Sequence, residues 1–214
     1  MSPWVNSVLA FFALTNLVLL GTSRLANGIR MVAVQGAALA VMPLLMQRHG
    51  FTPRVVALSV GSFVLKALVF PWLLRRALRI ANVRREIEPY VGYNLSLGVG
   101  VAAMAVSFWV GSRLPLPDPS RSALIVPVSL FTVLVGLFLI IARRKALTQV
   151  AAYLVLENGI YAFGVALVGE TPMLVELGVL LDAFVAVLAM GIAIYQISRE
   201  FDSMDVDALQ TLKG

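Results

Sequence analysis

Four ionisable side chains stand in apolar stretches of the sequence, where a bilayer would leave little water. They are Lys66 in "VLKALVF", Glu157 in "VLENGIY", Glu176 in "LVELGVL" and Asp182 in "LLDAFVA". A charge at the centre of a bilayer costs at least ~2.5–3.5 kcal/mol, so such residues are usually enclosed by protein and functional. Buried carboxylates near a lysine can hold or release a proton near neutral pH, which is the chemistry that a proton relay requires.

The spacing around these acids is consistent with a relay. Tyr153, Glu157 and Tyr161 follow one another at intervals of four, so they share a helical face and two phenols flank the carboxylate. Asp182 lies in a stripe of small residues that would let two helices approach closely. The short connection "GETP" makes these helices antiparallel neighbours whose acids face one seam. The predicted proton-relay residues are Glu157, Asp182, Glu176, Lys66, Tyr153 and Tyr161.

A structural role is the alternative for each of these side chains. An intramembrane acid can simply anchor helix packing through a hydrogen bond or an ion pair. Lys66 can extend its ammonium group to the membrane surface, or pair with a partner subunit.

The composition indicates an integral membrane protein. Of 214 residues, 60% are hydrophobic and 13% are charged, and the mean hydropathy is +0.91; soluble domains have about 45–50% apolar and about 25% charged residues. The absence of cysteine excludes disulfides, iron–sulfur clusters and zinc–thiolate sites, and with a single histidine we expect no cofactor. The net charge of +6 arises from basic residues in short loops, which favours a membrane rather than nucleic acid as the partner.

Apolar runs of about 20 residues predict an all-α integral membrane protein, because a helix of that length crosses a bilayer. At 1.5 Å per residue, Glu157 would lie ~15 Å, Asp182 ~22 Å and Lys66 ~12 Å from the cytoplasmic ends of their helices. About seven transmembrane helices are predicted, over residues 3–23, 26–46, 54–74, 94–113, 122–142, 147–168 and 172–197.

The basic residues predict an orientation. They favour one side of the membrane if every run crosses it, and the positive-inside rule then places the N-terminus outside and the C-terminus in the cytoplasm. The sequence divides into a four-helix region, 1–121, with a basic cytoplasmic loop at 75–93, and a three-helix region with a cytoplasmic tail, 122–214. The richer side would carry Arg24, Arg75, Arg76, Arg79, Arg84, Arg85, Arg143, Arg144, Lys145 and Arg199, and the other side Arg48, Arg54, Arg113 and Arg121.

Several motifs carry a family resemblance. "LENGIYAFGVAL" holds Glu157 and "LLDAFVAVLAMGIAIYQI" holds Asp182. With them, the part of the chain from about residue 122 resembles the K subunit of respiratory complex I, a three-helix bundle with one membrane carboxylate in each of its last two helices. Together with "VELGVLLD" and "FDSMDVDAL", the whole chain resembles the E membrane subunits of hydrogenase-4 and formate hydrogenlyase type complexes. The chain departs from the K-subunit pattern in having Asp as the second acid, a shorter interval, and the additional Glu176.

This resemblance implies a non-catalytic membrane-arm subunit of a complex I-related hydrogenase, in a bacterial or archaeal cytoplasmic (inner) membrane. The implied partners are antiporter-like proton-channel subunits, a membrane anchor similar to the H subunit of complex I, a hydrogenase module with nickel–iron and iron–sulfur subunits, and membrane lipids. Two alternatives are a purely structural scaffold and a stand-alone transporter of small solutes or cations. Transporters of that class usually have helices broken near the midplane, whereas Pro43, Pro71 and Pro127 lie towards the ends of their runs.

Overall fold

The computed structural model describes residues 3–46, 53–80, 89–114 and 123–167, together with residue 191. Within these ranges the chain forms helices joined by short connections, and no β-strand occurs there. The all-α prediction is therefore confirmed for the described part of the chain. The helices are α1 (Pro3–Gly21), α2 (Leu25–Met46), α3 (Pro53–Phe63), α4 (Phe70–Ile80), α5 (Tyr93–Gly111), α6 (Ile125–Ala142) and α7 (Ala146–Leu167), with a π-helical segment (Val64–Val69) between α3 and α4.

Four of these helices are long and apolar enough to cross a membrane, namely α1, α2, α5 and α6. This finding supports the prediction of a membrane protein. Each of the first six predicted runs falls on a helical segment, whereas the seventh, 172–197, lies outside the described residues. The total of seven spans, the orientation and a K-subunit-like bundle therefore stay predictions.

The third run differs from its prediction, because the helix does not end at residue 74. It continues through the π-helical segment into α4 and ends at Ile80, so residues 75–80 of the predicted basic loop are helical. The reason is the amphipathic pattern of α4. Leu74 and Leu78 are buried one turn apart, while Arg75 and Arg79 lie exposed on the other face.

Among the described residues, the core forms two apolar clusters separated along the helix axes. The first contains the C-terminal parts of α1 and α6, most of α4, and the N-terminal parts of α2 and α7; its largest members include Leu20, Ile29, Phe70, Leu74, Phe131, Leu139 and Leu154. The second contains the opposite ends of α1, α2, α6 and α7, including Val5, Leu9, Phe12, Leu39, Met42, Ile125 and Tyr161. The helices therefore alternate in direction, as expected for a chain that crosses a membrane repeatedly.

Basic residues gather at the bundle end beside the first cluster, which we call the arginine end (Arg24, Arg75, Arg76, Arg79, Arg143, Arg144 and Lys145). A backbone hydrogen bond joins two helix termini at this end. The Tyr90 amide, just before α5, donates to the carbonyl of Ala142, the last residue of α6, across 3.0 Å. The Arg144 guanidinium lies 5.3 Å from the Tyr90 ring centre. The arginines of α4 and those that follow α1 and α6 thus share one end of the described helices.

Arg143 is buried at this end, with 1% of its surface exposed. Its Nη2 donates to the Leu20 carbonyl in the last turn of α1 across 2.8 Å, and its Nη1 donates to the Val91 carbonyl across 3.4 Å. The guanidinium also stacks on Tyr93, 4.6 Å from the ring centre. Since the last carbonyls of a helix lack partners within the helix, Arg143 ties α1 to the start of α5.

Replacing Arg143 with methionine should lower the free energy of unfolding by about 1.5–3 kcal/mol, because buried carbonyls lose hydrogen bonds from a charged donor. Thermal unfolding in detergent would measure the loss. Arg79→Met is the matched control, since Arg79 is exposed at the same end and its removal should change stability by about 0.5 kcal/mol at most. Equal effects of the two substitutions would contradict the role assigned to Arg143.

Candidate functional site

A lysine and a glutamate form an ion pair inside the bundle. The Lys66 Nζ lies 2.5 Å from the Glu157 Oε1, and only 7% and 3% of the two side chains are exposed. Glu157 is the sole acidic residue among those that the structure describes. Removing two charges from water costs several kcal/mol per ion, so their close approach is needed to offset desolvation. The pair joins the π-helical segment to α7.

Lys66 occupies the π-helical segment, in which the backbone makes wider turns than in an α-helix. The Phe70 amide at its end donates to the Leu65 carbonyl five residues back. Pro71 supplies the physical reason, because it has no amide hydrogen for the Ala67 carbonyl and its ring crowds that carbonyl. Single π-helical turns occur frequently at functional sites. Here the wider turn carries the lysine towards the bundle interior.

Gly36 lets α2 approach the backbone that carries Lys66. A Cβ atom at Gly36 would lie 2.6 Å from the Lys66 Cβ and 3.2 Å from the Lys66 carbonyl oxygen. Such distances are too short for any larger residue unless the helices separate. The absence of a side chain at this position is therefore part of how the site is built.

Two neighbours of Glu157 on α7 also face the lysine. The Asn158 Oδ1 accepts a long hydrogen bond of 3.4 Å from the Lys66 Nζ. The same ammonium lies 5.8 Å from the centre of the Tyr161 ring, within the range of a cation–π interaction. The carboxylate, the amide and the aromatic ring thus surround one charge with three kinds of favourable partner.

Close packing of α6 against α7 holds Glu157 in place. A Cβ atom at Gly136 would lie 2.5 Å from the Leu156 amide nitrogen, and one at Gly159 would lie 2.6 Å from the Val133 amide nitrogen. Small residues allow two helix backbones to meet in this way inside a membrane. The contacts fall immediately before and two residues after Glu157, so they determine its position relative to α6.

A second set of buried polar side chains joins α1, α2 and α6. The Gln35 Nε2 donates to the Thr15 Oγ1 and to the Asn16 Oδ1, each across 2.8 Å. The Asn16 Nδ2 donates to the Thr132 Oγ1, also across 2.8 Å. Asn16, Gln35 and Thr132 are fully buried. The Gln35 Oε1 accepts no hydrogen bond from the described residues.

The two sets are adjacent and form one polar layer between the apolar clusters. Gln35 precedes Gly36, which contacts Lys66, and a Cβ at Gly159 would lie 3.0 Å from the Thr132 carbonyl carbon. Gln35 and Thr132 are each ten residues from their helix ends at the arginine end, or about 15 Å, which is half the thickness of a hydrocarbon core. The polar layer comprises Thr15, Asn16, Gln35, Lys66, Thr132, Glu157 and Asn158.

Comparison with known proteins gives relatives that match most of this chain. An uncharacterized protein of Mycobacterium tuberculosis, Rv0085, is 34% identical over 186 residues, which cover 86% of this chain and 84% of that protein. Hydrogenase-4 component E of Escherichia coli K12 is 27% identical over 214 residues, 98% of this chain and 97% of that protein. The chain is thus a homologue of hydrogenase-4 component E along almost its whole length. No family model and no solved structure matches it.

The family expected from "LENGI", "VELGVLLD" and "FDSMDVDAL" is thus confirmed for component E, while the resemblance to the complex I K subunit stays a prediction. Among the predicted relay residues, the structure brings together Lys66, Glu157 and Tyr161. Tyr153 is half-buried and packs against the first apolar cluster. Glu176 and Asp182 lie outside the described residues.

The polar layer also contains residues that sequence reasoning missed. Asn16, Gln35, Thr132 and Asn158 are uncharged, so they did not stand out beside the acids. The available signal was an amide side chain within an apolar run, as in "LTNLV" and "AVQGAA". Burying an amide without a partner costs free energy, so each such residue indicates an internal contact.

Proposed function

We propose that this chain is a non-catalytic membrane subunit of a multi-subunit hydrogenase complex, in which the Lys66–Glu157 pair forms part of a proton-translocation path. The similarity to hydrogenase-4 component E along almost the whole chain supports the assignment to a hydrogenase complex. The observation that carries the proton path is a lysine–carboxylate pair at mid-depth in an apolar bundle. Ionisable residues inside membrane proteins mark functional sites such as ion pathways and proton relays.

The pair has the chemistry that a relay step requires. Its proton can reside on the Lys66 nitrogen, which leaves both groups charged, or on the Glu157 carboxylate, which leaves both neutral. Desolvation favours the neutral form and mutual attraction favours the charged form, so a nearby charge can move the proton between them. A net transfer follows when Glu157 releases a proton to one side and Lys66 takes up another from the opposite side.

The rest of the path is proposed from the sequence. Asp182 and Glu176 would provide further carboxylate stations, with Tyr153 and Tyr161 beside them. The redox reaction would occur in a nickel–iron and iron–sulfur module, reached through antiporter-like subunits and an anchor similar to the H subunit of complex I. The complex would lie in the cytoplasmic membrane, with the N-terminus of this chain outside and its C-terminus inside.

The double substitution Lys66→Met with Glu157→Leu tests the proton path, because it removes both charges together and leaves apolar side chains of similar size. Inverted membrane vesicles that contain the complex would be supplied with its electron donor, and proton uptake would be followed with a pH-sensitive dye. We expect uptake per turnover to fall at least about tenfold, by the loss of acid–base groups. Assembly, seen on a native gel, should be unchanged. Ser107→Ala, a buried site on α5 outside the polar layer, is the control.

The second candidate function is that of a structural scaffold, which the dense glycine contacts between α6 and α7 favour. In that case the ion pair only joins α7 to the π-helical segment. If the chain is only a scaffold, the double substitution should lower proton uptake only to the extent that it lowers the amount of assembled complex. Normal uptake by an intact complex carrying the double substitution would reject the proton path and leave the scaffold.

A further inference from the structure

Ser59 is a buried serine on α3 that differs from the buried serines on α5 and α6. Only 6% of its surface is exposed, and its Oγ makes no hydrogen bond with any residue that the structure describes. Ser96, Ser107 and Ser129, by contrast, each donate to the backbone carbonyl four residues earlier. A hydroxyl buried without a hydrogen bond costs free energy, so the Ser59 site requires a polar partner.

Ser59 lies on the face of α3 that leads to the ion-paired lysine. Ser59, Ser62 and Lys66 follow one another at intervals of three and four residues, so they share a helical face, and all three are buried. At 1.5 Å per residue, Ser59 is ~9 Å from Pro53, the first residue of α3, and ~10 Å from Lys66. The hydroxyl is thus about halfway between the polar layer and the end of the bundle opposite to the arginine end.

The helix that packs against this face supplies a second polar group. α2 packs antiparallel against α3 and the π-helical segment, and Gly36 on α2 contacts Lys66. Counting seven residues away from this contact along each helix leads to Pro43 and Ser59, which therefore lie opposite each other. Pro43 has no amide hydrogen for the Leu39 carbonyl. A carbonyl that lacks its helical donor is therefore at the level of the Ser59 hydroxyl.

We propose that a water molecule bound between α2 and α3 links the Ser59 hydroxyl to the Leu39 carbonyl, and that the ion pair exchanges protons through it with the end opposite to the arginine end. Buried waters typically make about three hydrogen bonds to polar groups that otherwise lack partners. Ordered waters also satisfy the carbonyls that prolines free in transmembrane helices. The role in proton exchange rests on the proposed function, whereas the binding of the water does not.

The interval between this water and Lys66 suits a chain of hydrogen bonds. The antiparallel register brings Ala40 opposite Ser62, so the side chains at this level are small. A serine hydroxyl and a water molecule can each donate and accept at the same time. A proton can therefore pass between the Lys66 nitrogen and the bound water through the Ser62 hydroxyl or a further water.

Infrared spectroscopy of an introduced thiol tests the water site. The chain contains no cysteine, so Ser59→Cys gives the only S–H stretching band, whose loss is followed after transfer of the full chain in detergent to D2O. Ser129→Cys is the matched control, because Ser129 is buried at a similar depth in α6 and donates to the Ile125 carbonyl. We expect exchange at least about tenfold faster at Ser59→Cys, since a dry thiol exchanges only when the structure opens.

The exchange of protons has a separate test in the hydrogenase complex. Ser59→Val fills the water site with methyl groups, and proton uptake per turnover by inverted vesicles should fall at least about tenfold. Gly61→Val is the control, because it adds the same side chain to α3 where a Cβ atom would contact nothing. A native gel would verify that both complexes assemble.

The outcomes separate the water site from the proposed function. Exchange at Ser59→Cys no faster than at Ser129→Cys would overturn the water site, whether or not the complex translocates protons. Uptake that survives Ser59→Val but is lost with the double substitution of the ion pair would overturn this route and leave the proposed function intact. Fast thiol exchange together with loss of uptake in Ser59→Val alone of the two α3 valine variants is the expected result.

Discussion

Replacing Glu157 alone with leucine is expected to lower the free energy of unfolding by about 3–5 kcal/mol. This is the usual cost of removing one partner of a buried ion pair, because the other charge then stays buried without compensation. Lys66 would keep its contacts with Asn158 and Tyr161, but neither carries a negative charge. The ammonium group must then be desolvated without a counter-charge, or lose its proton. Denaturation of the purified chain in detergent micelles would measure the change.

The double substitution Lys66→Met with Glu157→Leu supplies the control for this prediction. It should recover most of the stability lost in the single variant, because well-packed apolar residues often replace a buried pair at little cost. The four chains form a double-mutant cycle, and its coupling energy reports the interaction itself. Additive losses from the two single substitutions would show that the charges do not stabilise one another.

Replacing Gly159 with leucine should lower the free energy of unfolding by about 3 kcal/mol or more, at the upper end of the effects of overpacking. A Cβ there would lie 2.6 Å from the Val133 amide nitrogen, which belongs to the backbone and cannot rotate away. The two helices would have to separate around Glu157. Thermal unfolding measures the loss, and we expect less of the intact complex on a native gel.

Gly98→Leu is the matched control for this helix contact. Gly98 lies on the exposed face of α5, and a Cβ at that position would have no neighbour within 4 Å. Leucine is the better helix former by roughly 0.5–1 kcal/mol in a helix interior, so the control should be neutral or slightly stabilising. Because leucine gains the same helix propensity at Gly159, any loss of stability in the Gly159→Leu variant must come from packing. A Gly159→Leu variant as stable as the control would mean that α6 and α7 are not held at this distance.

The ion pair also limits how the chain can respond to its partners. The π-helical segment is attached to α2 through Gly36 and to α7 through Glu157. A displacement of α7 would therefore act directly on the distance between the Lys66 nitrogen and the carboxylate. That distance governs their attraction, which gives partner subunits a physical means of moving the proton in the proposed path.

Helix positions could be predicted from the sequence because span length is a local property. The predicted run 26–46 corresponds to α2 at Leu25–Met46, and the predicted run 122–142 to α6 at Ile125–Ala142. The third run was predicted less well. Its helix continues beyond residue 74, because the arginines there cover the exposed face of an amphipathic helix and do not end it. The π-helical segment was missed, although Pro71 is a local signal for it.

The sequence by itself determined the class of the protein and the residues that are costly to bury, since composition and run length decide both. Lys66 and Glu157 were recognisable for that reason. Only the tertiary structure decided that these two residues, 91 positions apart, neutralise each other, and that uncharged Asn16, Gln35 and Thr132 adjoin them. The cost of burying a charge depends on how deep its own segment lies. Whether an opposite charge offsets that cost depends on which helices pack together. In this bundle, glycines such as Gly36, Gly136 and Gly159 allow the close helix contacts on which that packing depends.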